Sequence, residues 1–210
     1  MPAPPPLQGI RIIDLTAMIA GPLATQTLAD QGAEVIKIER LDGGDHTRKV
    51  AGRRGGFSAS FLNNNRSKRS VALDLKDPRG VEAVLRLCEG ADVFVQNFRP
   101  GKAEAMGLGF EEVKARRADI VYCSIAGFGF SGPYAHKPVY DPLIQALSGL
   151  ASVQGGSDNA RPRLVRTIVP DKVTAIQAAQ AITAALLART RTGQGTHITL
   201  SMLDAVVAFL

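Results

Sequence analysis

The chain has 210 residues, enough for one or two domains with a proper core. Apolar residues make up 45% and charged residues 21%, as in ordinary soluble globular proteins, and the net charge is +6. That charge suits an anionic ligand, a nucleic acid or a membrane surface. However, there is no dominant basic run, RNA-type aromatic consensus, zinc-ligand spacing or basic helix backed by heptads, so neither nucleic acid nor a metal is expected.

The N-terminus, Met1-Pro2-Ala3-Pro4-Pro5-Pro6, lacks the basic and apolar regions of a signal peptide and suggests a flexible tip over residues 1–8. The longest apolar stretch, Val173 to Ala188, is interrupted by Thr174, Gln177, Gln180 and Thr183, so no membrane span is expected. Cys88 and Cys123 lie far apart in apolar contexts. They read as two buried free thiols, which fits a reducing, cytoplasmic compartment.

In chain order, "IRIIDL" (Ile10 to Leu15) predicts a strand and Pro22 to Gln31 a helix, closed by Gly32 as its C′ residue. "AEVIKIE" (Ala33 to Glu39) is the next strand, completing a right-handed βαβ unit. Gly43 to Lys68 is polar, Gly- and Arg-rich, and reads as a long loop. Ser70 to Lys76 is a strand, and Asp77 caps a helix with Pro78 at its first position. Strands over Asp92 to Phe98 and Ile120 to Gly129 flank a helix over Phe110 to Asp119. A helix from Asp141 to Val153 follows, then the loop "GGSDNARP", then a long helix headed by Asp171 and ended by Gly193 and Gly195. "THITLSM" is a last strand, and "LDAVVAFL" starts a helix inside which the chain stops, as if truncated. Apolar strands alternating with helices imply an α/β fold: a Rossmann-like parallel sheet with helices on both faces, over residues 9–210.

Such sheets bind ligands beyond the carboxyl ends of their strands. The turn Thr16 to Pro22 holds one glycine and is neither G-x-G-x-x-G nor a Walker A loop, so NAD and nucleoside triphosphates are not supported. Arg40, Lys76 and the run Asn97-Phe98-Arg99 follow successive strands. These cations could cradle a phosphorylated, adenine-bearing ligand, or be solvated loop residues. Asp171 could be a helix cap or a catalytic carboxylate, and its sequence context leaves both open.

The segments "RIIDLTAMIAGPLATQTLADQGAEVIKIER", "NNNRSKRSVALDLKDPRG", "ADVFVQNFRPG", "VYDPLIQALSGL" and "ARTRTGQGTHITLSMLDA" resemble the class III (CaiB/BaiF-type) CoA-transferases. That group includes formyl-CoA transferase and α-methylacyl-CoA racemase. The resemblance implies the N-terminal part of an interlocked homodimer, with coenzyme A or an acyl-CoA and a small carboxylic acid as substrates. It implies Asp171 as the catalytic carboxylate. It implies CoA contacts at Arg40, Leu73, Asp74, Leu75, Lys76, Asn97, Phe98, Arg99, Lys137 and Tyr140, with Ile19 and Ala20 lining the thioester.

Formyl-CoA transferases have glutamine where Ile19 stands, which argues against formate chemistry. They also have arginine where Ala105 stands, a contact that Lys102 could supply. The racemases have histidine where Tyr140 stands. A phenol of pKa about 10 is a poor base at neutral pH, so the resemblance favours transfer. Racemisation, or an inactive CoA-binding fragment, are the alternatives. Asp171 is expected to be kept ionised by the positive helix end, worth roughly 0.3–1 kcal/mol, and by Lys172, with Thr174 as its polar neighbour. Tyr140 is expected to line the acyl pocket.

Overall fold

The structure, a computed structural model, describes residues 3–50, 52–157 and 159–210. Met1 and Pro2 of the expected tip, and Asp158 of the "GGSDNARP" loop, lie outside the described residues. The chain opens with β1 (Arg11–Asp14), α1 (Ala20–Asp30) and β2 (Glu34–Glu39). A 3-10 turn (His46–Lys49), the hairpin β3 (Arg53–Arg54) and β4 (Phe57–Ser58), and α2 (Ala59–Asn65) lead to β5 (Lys68–Ala72). Then come α3 (Pro78–Glu89), β6 (Val93–Gln96), α4 (Lys102–Ala105), α5 (Phe110–Arg116) and β7 (Val121–Ala126). The chain finishes with α6 (Asp141–Leu147), α7 (Leu150–Val153), α8 (Val169–Thr192), β8 (Thr196–Ser201) and α9 (Met202–Val207).

Six strands form one all-parallel sheet in the order β5-β2-β1-β6-β7-β8. Numbered along the sheet's own strands this is 3-2-1-4-5-6, the doubly wound order, whose switch point lies between β1 and β6. The side-chain period of two explains the layers. Ile12, Val93, Val95, Val121 and Cys123 face α1 and α8, against Ala24, Leu28, Ala175, Ala178 and Ile182. Their neighbours Ile13, Phe94 and Tyr122 face the other way, against Val84 and Cys88 of α3 and Val113 of α5. Small alanines on α8 let it lie close to the sheet and α1. Both cysteines are buried and unpaired.

Several expected boundaries move, each for a local reason. The strand expected over Ser70 to Lys76 lies two residues earlier and ends at Ala72. Leu73 to Lys76 leaves the sheet in a turn in which Asp74 accepts the Lys76 N–H at 2.9 Å. The helix expected over Asp141 to Val153 is two helices, because Gly149 at φ +90 breaks it. The expected loop from Gly43 to Lys68 carries the 3-10 turn, the hairpin and α2, which the Ser58 side chain caps. The last helix closes at Val207, so the final three residues lie beyond it. The expected flexible tip is docked at its end. Leu7 is buried and its N–H donates to the Gln31 carbonyl at 2.9 Å. No helix among the described residues is long and apolar enough to cross a membrane.

Candidate active site

The turn from β1 into α1 sits at the switch point, and buried charges hold it. Asp14 ends β1 fully buried. One of its carboxylate oxygens accepts from the Thr16 N–H at 2.8 Å. The other accepts from the Thr25 hydroxyl at 2.7 Å and the Lys68 ammonium at 2.9 Å. Burial pushes its pKa up, but the ammoniums of Lys68 and Lys37 and the two threonine hydroxyls outweigh that and hold it at about 2. Lys37, also buried, donates to the Thr16 carbonyl at 2.7 Å and lies 3.0 Å from Asp45 Oδ2. That oxygen has this ion pair but no well-aligned hydrogen bond. Asp45 Oδ1 accepts from the N–H groups of Thr47 at 2.9 Å and Met18 at 3.3 Å.

From the neighbouring strand β6, the Asn97 amide takes hold of the same turn. Its Oδ1 accepts the Ala17 N–H at 3.0 Å and its Nδ2 donates to the Ala17 carbonyl at 2.8 Å. Met18 follows in the left-handed region at φ +70. Gly21 is required for packing here. A Cβ on it would run into the Thr16 side chain, whose hydroxyl oxygen would be 2.8 Å away.

The turn delivers the Ala20 N–H, at the head of α1, to Asp171 Oδ1 at 3.1 Å. Asp171 is not the cap of its own helix. It is the third residue of α8, whose cap position is Ile168 with no side-chain hydrogen bond. Its side chain is turned across to serve α1 instead. Its own N–H donates to Asp141 Oδ2 at 3.2 Å. Asp141, in the first turn of α6, accepts from Gln145 Nε2 at 2.6 Å, and Gln145 in turn fixes the Val165 and Thr167 backbone.

The electrostatics differ from expectation. Burial, then the nearby Asp141 carboxylate, push the Asp171 pKa up to about 6, and the Ala20 N–H opposes them. Lys172 does not figure in the balance at Asp171; its charge acts on Asp141. Burial raises Asp141 as well, against its hydrogen bonds and Lys172. Asp171 is thus still mostly ionised at pH 7, by roughly ten to one, but more basic than an exposed aspartate. The Thr174 hydroxyl is turned to the Pro170 carbonyl at 2.7 Å and away from the carboxylate.

Beyond the strand ends lies a cavity of about 1150 Å³. Of the residues singled out in the sequence, Arg40, Leu73, Asp74, Leu75, Lys76 and Phe98 line it, and Lys102 and Ala105 lie side by side in its wall. Ile19, Ala20 and Asn97 belong to the clasped turn. Arg99 and Lys137 are exposed and lie outside the cavity wall. Tyr140, 65% exposed and at the cap position of α6, lies outside that cavity too.

Sequence reasoning missed the buried charges Asp14, Lys37, Asp45 and Lys68. The first two were visible as charges inside otherwise apolar strands, "IRIIDL" and "AEVIKIE". It also missed the carboxylate contact of Asp141, for which the chain offers no local signal.

Fold and site together define an α/β protein with a roomy, cation-bearing cavity at the sheet's carboxyl edge and a poorly solvated carboxylate at the switch point. The family description "CoA-transferase family III" matches residues 7–210, and the chain belongs to that family. The succinyl-CoA:glutarate CoA-transferase of Mus musculus is 45% identical over 208 residues, covering 98% of this chain and 47% of that protein. The succinate–glutarate CoA-transferase of Agrobacterium fabrum is 42% identical, covering 98% of this chain and 53% of that protein. The crystal structure of a CAIB/BAIF family protein from Brucella suis superposes with a TM-score of 0.92 at 37% identity, covering 98% of this chain and 55% of that one. The chain therefore spans about half the length of these relatives.

Proposed function

We propose that this chain carries the CoA-binding part and the nucleophile of an acyl-CoA:carboxylate CoA-transferase. The observation that carries the reading is Asp171, a carboxylate raised to about 6 and held by the head of α1 at the switch point. Desolvation and a neighbouring carboxylate make it a stronger nucleophile than a solvated aspartate, while neutral pH leaves it ionised. The relatives named for succinyl-CoA and glutarate suggest small dicarboxylic acids as donor and acceptor.

In the proposed reaction the Asp171 carboxylate attacks the thioester carbon. The CoA thiolate leaves and an aspartyl-acyl anhydride forms. The thiolate then attacks the aspartyl carbonyl, releasing the donor acid as carboxylate and leaving an aspartyl-CoA thioester. The acceptor carboxylate repeats the two steps in reverse, which returns Asp171 and yields the new acyl-CoA. CoA would lie in the cavity, its phosphates toward Arg40, Lys76 and Lys102, its adenine among Leu73, Leu75 and Phe98. In an interlocked homodimer, a second copy would cover exposed apolar side chains of α6 and α8 such as Leu143, Leu147, Ile176 and Leu187.

Hydroxylamine added to the full chain turning over succinyl-CoA tests the reading. The expected product is a hydroxamate on Asp171, absent from Asp171→Ala. Undiminished transfer by Asp171→Ala would overturn it.

A further inference from the structure

The Asn97 side chain spends both ends of its amide on the N–H and the carbonyl of a single residue, Ala17, across the switch point. β1 and β6 run side by side, with Asp14 opposite Val95, so Ala17 and Asn97 leave adjacent strands at the same edge. The resemblance places Asn97 among CoA contacts, yet its side chain grips the turn. We propose that Asn97 is a positioning residue for Asp171, acting through the Thr16–Ala20 turn; this rests on Asp171 being the nucleophile.

The turn needs such a grip. Met18 sits at φ +70, a conformation that L-residues avoid unless their surroundings impose it. Upstream of it Asn97 holds both the N–H and the carbonyl of Ala17, and so the peptide on each side of that residue. At Met18 itself the hold is the longer bond to Asp45, 3.3 Å. Two residues on, the Ala20 N–H meets Asp171. If Ala17 is released, Met18 can relax to negative φ and the Ala20 N–H swings off the carboxylate. The turn from Ala17 to Ala20 brings no titratable side chain to Asp171. From α6 it faces Asp141, and Lys172 beside it on α8 acts on Asp141. The Ala20 N–H is thus the contact that offsets burial and Asp141.

A positioning role and a CoA contact give opposite kinetic signatures in Asn97→Ala. Positioning predicts that kcat falls about 10- to 100-fold, as for a small misplacement of a reacting group, with the KM for acyl-CoA changed less than about twofold. The Asp171 carboxyl resonance in carboxyl-labelled protein should titrate at higher pH than in the wild type. Met18→Gly in the Asn97→Ala background should recover part of kcat, because glycine takes positive φ without strain and needs less holding. A raised KM with unchanged kcat and an unmoved Asp171 titration would overturn the proposal and leave Asn97 a binding contact. Loss of kcat that Met18→Gly fails to restore, with an unmoved titration, would overturn it too. If the wild-type chain shows no transfer, the proposed reaction falls while the titration still decides the clasp: an upward move supports it and no move overturns it.

Discussion

The N–H of Ala20 donates to Asp171 Oδ1 at 3.1 Å, so the carboxylate of one helix caps the head of another. In the same cluster Asp141 accepts the N–H of Asp171, so two acidic side chains each serve a helix other than their own. The arrangement holds both carboxylates close and only partly hydrated, and several outcomes follow from that strain.

Asp171→Asn keeps an oxygen for Ala20 and removes the charge. In the wild type the folded-state pKa of about 6 stands above the ordinary 3.8. Protonated Asp171 therefore favours folding fully below about pH 4, and that contribution disappears as pH rises through 6. Asparagine does not ionise. Denaturant unfolding should show the variant more stable than wild type by about 3 kcal/mol at pH 7.5 and nearly level with it at pH 4, with transfer abolished.

Asp141→Asn removes the neighbouring negative charge that raises Asp171. With Asp171 as the proposed nucleophile, the acidic limb of kcat/KM should follow its ionisation in the free enzyme and move to lower pH. The amide must also meet the donors of Gln145 and Asp171, so a stability loss of about 1–3 kcal/mol accompanies it. A pH–rate profile alongside a melting curve separates the two effects.

Lys102→Ala tests the cavity. Lys102 stands in its wall beside Ala105. With CoA placed as proposed, loss of one partly solvated phosphate contact, about 1 kcal/mol, should raise the KM for acyl-CoA about fivefold and leave kcat unchanged. Steady-state kinetics with a fixed acceptor acid checks this.

Lys37→Met leaves the Asp45 carboxylate buried without its ion-pair partner. Removing one member of a buried pair costs about 3–5 kcal/mol. Adding Asp45→Asn should recover more than about 1 kcal/mol of that, and a double-mutant cycle by urea unfolding measures the coupling.

The sheet was legible because its strands are short apolar runs separated by helices with clear signals, such as Asp77-Pro78 before α3, where the Asp77 side chain does accept the Arg79 N–H. The cavity wall was legible in part, since parallel strands put Arg40, Leu73 to Lys76 and Phe98 at one edge. What joins Asp171 to Ala20, 151 positions away, and Asn97 to Ala17, 80 away, is tertiary, and local pattern carries no trace of it. The segment before β5 failed for another reason. "ASFLNNN" has weak helix propensity, and its helix depends on the Ser58 cap and its packing against α1.

The burial of Cys88 and Cys123 has a chemical consequence. Seclusion pushes both thiols up to about 12. At neutral pH roughly one in 100,000 is a thiolate, the form that exchanges with thioesters and disulfides. A protein that handles activated acyl groups alongside a liberated thiol would thus keep its own sulfurs out of the traffic. Neither would be acylated by a passing thioester, and neither would capture the freed thiol in a mixed disulfide.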